Sequence, residues 1–157
     1  MRRKDLKITS PAEVDAIIKQ SNVCRLGLCD GDTPYVVPLN FGYEDGKFYF
    51  HSAAAGRKVD LLKANPKVCL EFDMELGLIK HEKACNWGFR YRSVIVTGRA
   101  TVLDTLEEKV QALNVIMKNY SDKDYTFPAK VVGNTFVFVV DAQEISGKQT
   151  DESTIVE

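Results

Sequence analysis

Gly56, Arg57 and Lys58 stand together behind Ser52 and a three-alanine spacer, Ala53, Ala54 and Ala55. Two adjacent cations after a glycine, at the expected start of a helix over residues 56–64, are the parts of an anion site. Free first-turn amides and the helix dipole favour negative charge there, and Arg adds a planar fork of donors that matches phosphate. Upstream, residues 35–51 form an aromatic stretch: Val36, Leu39, Phe41 and Tyr43 against Phe48, Tyr49 and Phe50, with the turn chemistry of Glu44, Asp45 and Gly46 between them. This reads as a hairpin and places a flat apolar platform beside a positive pole. A ligand with a planar conjugated end and a phosphate end suits such a pair, and flavin mononucleotide (FMN) has that shape. The competing reading is a solvated basic turn, the usual fate of surface cations; the aromatic hairpin tips the balance toward the anion site.

Other groups are open to two readings each. His51, with an ordinary pKa near 6.5, is either a proton donor to a reduced substrate or a strand-end histidine satisfied by backbone. Arg92, near the start of a long strand, reaches a phosphate or pairs with a carboxylate such as Glu71. Cys85, Asn86 and Trp87 pack the single tryptophan into a core or dimer contact, or supply a thiol nucleophile. His81-Glu82-Lys83-Ala84-Cys85 is similar to the zinc helix HExxH in its first two residues only, because a cysteine replaces the second histidine and no third ligand is evident; no metal is expected. Neither GxGxxG nor GxxxxGK[ST] occurs, which leaves a Rossmann or P-loop nucleotide site without support.

The elements that must position these groups are legible in outline. Ser10-Pro11-Ala12-Glu13 is a capping box with proline at the first helical position, followed by Val14, Ile17 and Ile18 on one face. Residues 23–29 alternate as a strand, with Cys24 and Cys29 on opposite faces, and Asp30-Gly31-Asp32 turns the chain back. The strands over 35–43 and 47–51 continue a meander, in which Pro38 needs an edge, bulge or ligand-facing position because it cannot donate to a ladder. The spacing of Val59, Leu62 and Lys63 fits the helix that Asn65-Pro66 ends, and 67–73 alternates as a half-buried strand. From residue 74 to 86 the pattern is lost and an irregular exposed segment is expected. Residues 91–103 form a long strand broken at Gly98, Thr105 to Glu108 is a second capping box ahead of a helix, and 135–141 is an apolar strand buried on both sides. Hairpins early, no βαβ rhythm and three helices point to an antiparallel barrel with helices outside.

With 157 residues, 45% apolar and 27% charged, the chain builds one core rather than two enzyme domains. A net charge of -1 gives no electrostatic case for nucleic acid or an anionic membrane. Met1-Arg2-Arg3-Lys4 imitates the start of a signal peptide, but no apolar stretch follows, and the densest apolar run, residues 136–140, is far shorter than the ~20 residues a bilayer requires. A cytoplasmic protein with reduced thiols is expected.

In combination, these residues resemble the pyridoxamine 5′-phosphate oxidase-like flavin-binding split barrels, and within them the Nim-type 5-nitroimidazole reductase branch. The resemblance rests on Cys24-Arg25-Leu26-Gly27, Tyr35-Val36-Val37-Pro38-Leu39-Asn40-Phe41-Gly42-Tyr43, Phe50-His51-Ser52 with Gly56-Arg57-Lys58-Val59-Asp60-Leu61-Leu62, Cys85-Asn86-Trp87-Gly88-Phe89-Arg90-Tyr91-Arg92-Ser93-Val94, and Glu144-Ile145-Ser146-Gly147-Lys148. It implies a mainly β fold with flanking helices: one six-stranded antiparallel split β-barrel over residues 1–148, with a flexible tail over 149–157. It further implies a homodimer holding two FMN molecules between its subunits. By the same likeness, Val37, Pro38, Leu39, Asn40 and Phe41 line the flavin ring, partly through backbone. His51, Ser52, Arg57 and Lys58 hold the phosphate and ribityl groups, Trp87 and Arg92 come from the partner subunit, and Lys148 closes the cleft. The implied activity is an FMN-dependent oxidoreductase passing electrons from NAD(P)H to a small aromatic acceptor, a 5-nitroimidazole among the candidates. Related split barrels bind haem or the deazaflavin F420, and a flavin- or haem-binding module for storage, sensing or transfer is the alternative.

Overall fold

Ser10 sets the first helix by accepting the Glu13 N–H at its hydroxyl, with Pro11 at the position where a missing amide costs nothing. In the computed structural model, which describes residues 3–150, a two-residue strand β1 (Lys7–Ile8) precedes this helix, α1 (Pro11–Gln20), whose Ile17 and Ile18 face the core. Strands β2 (Cys24–Asp30), β3 (Thr33–Leu39), β4 (Gly42–Glu44) and β5 (Lys47–Ala53) follow. Helix α2 (Arg57–Ala64), the long strands β6 (Lys67–Ile79) and β7 (Gly88–Leu103), helices α3 (Leu106–Lys118) and α4 (Ala129–Gly133) and strand β8 (Thr135–Gln149) complete the order. Both halves of the capping box between Thr105 and Glu108 are formed ahead of α3, as the spacing predicts.

The strands make one antiparallel sheet in the order β3-β2-β6-β7-β8-β5-β4, with β1 added to β8. Six of them are long and two, β1 and β4, have only two and three residues, so the six expected strands are present with two short additions. Strands β3 and β4 lie at opposite ends of this path, yet only Asn40 and Phe41 separate them in sequence. A flat sheet would put those ends about 29 Å apart, whereas three Cα steps reach about 11 Å at most. The sheet must therefore curl until its two edges approach, which makes a barrel split along the seam between β3 and the β4–β5 hairpin.

That seam corrects the expected hairpin over residues 35–51. Residues 33–39 pair with β2, and only 42–44 pair with β5, through the turn at Asp45 and Gly46. The strand is interrupted because Phe41 turns fully into the core, packing edge-on to Phe72 at 5.0 Å and beside Phe48 and Phe50 at 6.5 Å. Its N–H is taken by Tyr120 Oη at 2.9 Å, and that hydroxyl in turn donates to the Asn22 carbonyl at 2.8 Å. Gly42 then passes so close to α3 that a Cβ there would sit 2.6 Å from the Ile116 nitrogen.

Two further expectations change. The segment 74–86 is not irregular throughout: β6 continues to Ile79 and pairs with β7 as far as Gly88, past a register shift between Glu75 and Gly77. The β2 ladder stops at Glu71 and the β8 ladder at Arg92, so this end of β6 and β7 is a two-stranded arm outside the sheet. Alternation is lost there because neither face is buried; Leu76, Leu78, Trp87 and Phe89 are all exposed. The first two residues of the tail expected from 149 are tied to the sheet instead, since β8 reaches Gln149 and Thr150 bonds to Phe89 and Tyr91 of the arm. The rest of that tail, 151–157, lies outside the described residues. The break at Gly98 is present as a register shift, with Gln143 left unpaired on β8.

The barrel interior holds the main core, centred on Leu26, Phe41, Phe48, Phe50, Leu70, Phe72, Val94 and Phe138. A second cluster under α3 and α4, with Leu113, Ile116 and Val132, covers the outer side of β5 around Tyr49. Of the expected strand 135–141, residues 136–140 are buried, with Phe136, Phe138 and Val140 in the main core, whereas Asp141 is exposed and the strand runs on to Gln149. Among the described residues no helix is long and apolar enough to cross a membrane, and all four cysteines are free thiols, Cys24 buried and Cys29 exposed on the opposite face.

Candidate cofactor site at the barrel seam

Helix α2 starts one short loop after β5 and packs on β2, so it bridges the two ends of the curled sheet. Gly56, with φ of 127°, is the residue that lets the chain turn into this helix, and its carbonyl accepts from Val59 and Asp60 at 2.9 and 3.3 Å. Among the described residues no side chain caps α2, unlike α1 and α3, which leaves its first amides open to an outside acceptor.

Arg57 points toward β3. Its Nε and Nη2 donate to Asp30 Oδ2 at 3.0 and 2.8 Å, and its guanidinium lies 4.5 Å from the centroid of the Tyr35 ring. The cation therefore sits beside the strand expected to carry the ring, although held by two groups that sequence reading assigned only to a turn and a strand.

His51 and Ser52 lie at the end of β5, half-buried, beside the half-buried Lys58. Burial, and then the Lys58 ammonium, hold the His51 imidazolium below its ordinary value of 6.5. Both effects favour the neutral ring over the imidazolium, relative to a free histidine. The Nδ1 of His51 is buried and lacks a hydrogen-bond partner among the described residues. Such an orphan calls for an outside group, and a ligand hydroxyl supplies one as donor or acceptor whichever tautomer is present. On this observation the residues fit a phosphorylated, hydroxylated cofactor. Ser52 Oγ now donates to the Ala53 carbonyl at 3.0 Å.

The expected aromatic platform is corrected. Phe41, Phe48 and Phe50 are fully buried, and Val37 and Leu39 are half-buried against the core, so none of the three phenylalanines can present its ring to a ligand. What β3 and the residue after it offer outward is Val36, Pro38 and Asn40, all exposed. Any ring contact from Phe41 must come through its backbone, whose N–H is already engaged.

Three other expected residues lie elsewhere. Trp87 stands at the tip of the arm, half exposed, with its indole N–H donating to the His81 carbonyl. Half-buried Arg92 faces Met74 and Gln149 in register, and Lys148 pairs with Ser93 and places its Nζ 5.6 Å from the Tyr91 ring centroid. Along the strand order, β2 and β6 lie between β3 and the β7–β8 pair that carries Arg92 and Lys148. Glu71, a possible partner for Arg92, instead pairs with Arg25 at 3.2 Å, and Arg25 also bonds Asp73. That cluster, missed in the sequence, borders a cleft of about 520 Å3 with Phe89, Tyr91 and Ser93. Burial and the Asp73 carboxylate push the Glu71 carboxyl up, against the pull of Arg25.

A barrel of antiparallel strands, open along one seam and flanked there by a cation-bearing helix start, is the split-barrel architecture that the sequence resemblance implies. Residues 10–149 match the sequence model described as pyridoxamine 5′-phosphate oxidase, and the chain belongs to that family. A solved structure of a candidate 5-nitroimidazole antibiotic resistance protein from Bacteroides thetaiotaomicron is similar at 32% identity and a TM-score of 0.82, covering 92% of this chain and 86% of that one. The flavocytochrome Anf3 of Azotobacter vinelandii shares the fold at 24% identity and a TM-score of 0.84, over 98% of this chain and 76% of its own. An uncharacterized protein of Rhizobium meliloti (strain 1021) is 28% identical over 72% of this chain and 70% of that protein.

Proposed function

We propose that the protein is an FMN-dependent oxidoreductase that works in the cytosol as a homodimer, with the cofactor between subunits and a small aromatic compound as electron acceptor. The observation that carries this reading is the pairing of Arg57, set beside β3 at an uncapped helix start, with the buried and unpartnered Nδ1 of His51. Bound FMN supplies electron transfer from NAD(P)H to the acceptor, for which a 5-nitroimidazole is the leading candidate. Arg57 and Lys58 grip the phosphate together with the first amides of α2. His51 closes its unmet hydrogen bond on a ribityl hydroxyl, while Pro38 and Asn40 border the ring from the β3 edge. A second copy brings Trp87 and Arg92 over the ring and Lys148 to the rim, which is how residues remote in one chain serve one site.

The double variant Arg57→Ala, Lys58→Ala tests the grip. Losing two charge-assisted contacts of about 1.5–3 kcal/mol each weakens FMN by at least 100-fold, while riboflavin, which lacks the phosphate, binds as before. Equal loss of both flavins in a fluorescence titration would show that these cations hold no phosphate. The visible spectrum of the purified protein separates flavin from haem or F420, and anaerobic mixing with NADH or NADPH separates an enzyme from a storage, sensing or transfer module.

A further inference from the structure

We propose that Asp30 and Tyr35 are positioning residues that hold the Arg57 guanidinium ready for the phosphate, a role that rests on the FMN reading above. Asp30 Oδ2 takes the side edge of the guanidinium, Nε at 3.0 Å and Nη2 at 2.8 Å, and the guanidinium carbon lies over the Tyr35 ring, 4.5 Å from its centroid. The carboxylate and the ring are two independent contacts on one guanidinium, so together they restrict its position more than either does alone. The end edge, Nη1 with the second hydrogen of Nη2, stays available, and that edge forms two parallel bonds to a phosphate. Both holders belong to the β2–β3 hairpin, with Asp30 closing β2 and Tyr35 on β3. The clamp therefore ties the start of α2 to the strand edge that borders the seam. A long side chain fixed in advance need not lose its freedom when the ligand arrives.

The sign of the effect discriminates. Asp30 is itself an anion close to where a phosphate would bind, so charge alone predicts that its removal tightens FMN. The clamp predicts the opposite. FMN and riboflavin are titrated separately into Asp30→Ala, Tyr35→Leu and Asp30→Glu, and into the first two again in an Arg57→Ala background. Each of the first two variants weakens FMN about 3- to 10-fold, leaves riboflavin unchanged and causes no further loss once Arg57 is absent; Asp30→Glu recovers part of the affinity. FMN binding that is unchanged or tighter in Asp30→Ala overturns the clamp, and parallel loss of both flavins overturns it by revealing a structural role only. If Arg57→Ala alone spares the preference for FMN over riboflavin, the phosphate assignment to Arg57 itself fails, and this result is distinct from the other two.

Discussion

His51 titrates below its ordinary 6.5 because burial and Lys58 both oppose its charged form. The unfolded chain binds that proton more readily, so stability is complete above pH ~6.5 and falls as the pH drops below it toward the folded value. In His51→Gln the thermal midpoint, followed from about pH 7.5 to about pH 5.5, should decline less steeply than in the parent. An equal slope would mean that other groups set the acid sensitivity. At this scale the sequence showed the cations but not their company. Arg57 and Lys58 were legible because a glycine, a helix start and adjacent charges are all local. Asp30 was read as a turn, since the bond that gives it a second role links residues 27 apart in sequence. Phe41 was misread for a related reason: alternation reports that one side of a strand is apolar, not whether a ligand or a core meets it.

Among the elements, caps were the most legible, because Thr105 and Glu108 carry their whole interaction within one helical turn. The break between β3 and β4 was not, because it depends on α3, which lies far along the chain and meets Gly42 backbone to backbone. Neither the glycine nor the helix can retreat without shifting Phe41. Gly42→Ala should therefore cost about 1–3 kcal/mol, read as a lower urea midpoint with unchanged slope; a midpoint within error of the parent would show that β4 and α3 part easily. The arm of β6 and β7 was lost to pattern reading because its apolar residues have no inner and outer side in one chain. Exposed Leu76, Leu78, Trp87 and Phe89 on a paired ribbon are the apolar surface that the proposed dimer would cover.

For the whole molecule, mainly antiparallel architecture was legible from hairpin signals, whereas strand order was not, since no local period announces that β5 pairs with β8. A dimer joined through the arm has a remote signature. Leu78→Asp with Phe89→Asp should move the sedimentation coefficient from the two-copy to the one-copy value and weaken FMN, although neither residue neighbours Arg57 in its own chain; a dimer that persists with full affinity would place the contact elsewhere. The position of β8 has a separate bearing on how the fold is reached. This strand joins β1, β5 and β7, and it follows all of them in sequence. During synthesis the earlier strands thus emerge before the keystone that unites them, and the Phe-rich edge of β5 must wait, unzipped, for most of translation. Completion of the sheet therefore depends on late, non-local pairing, which is slow to form and leaves strand edges exposed until it does.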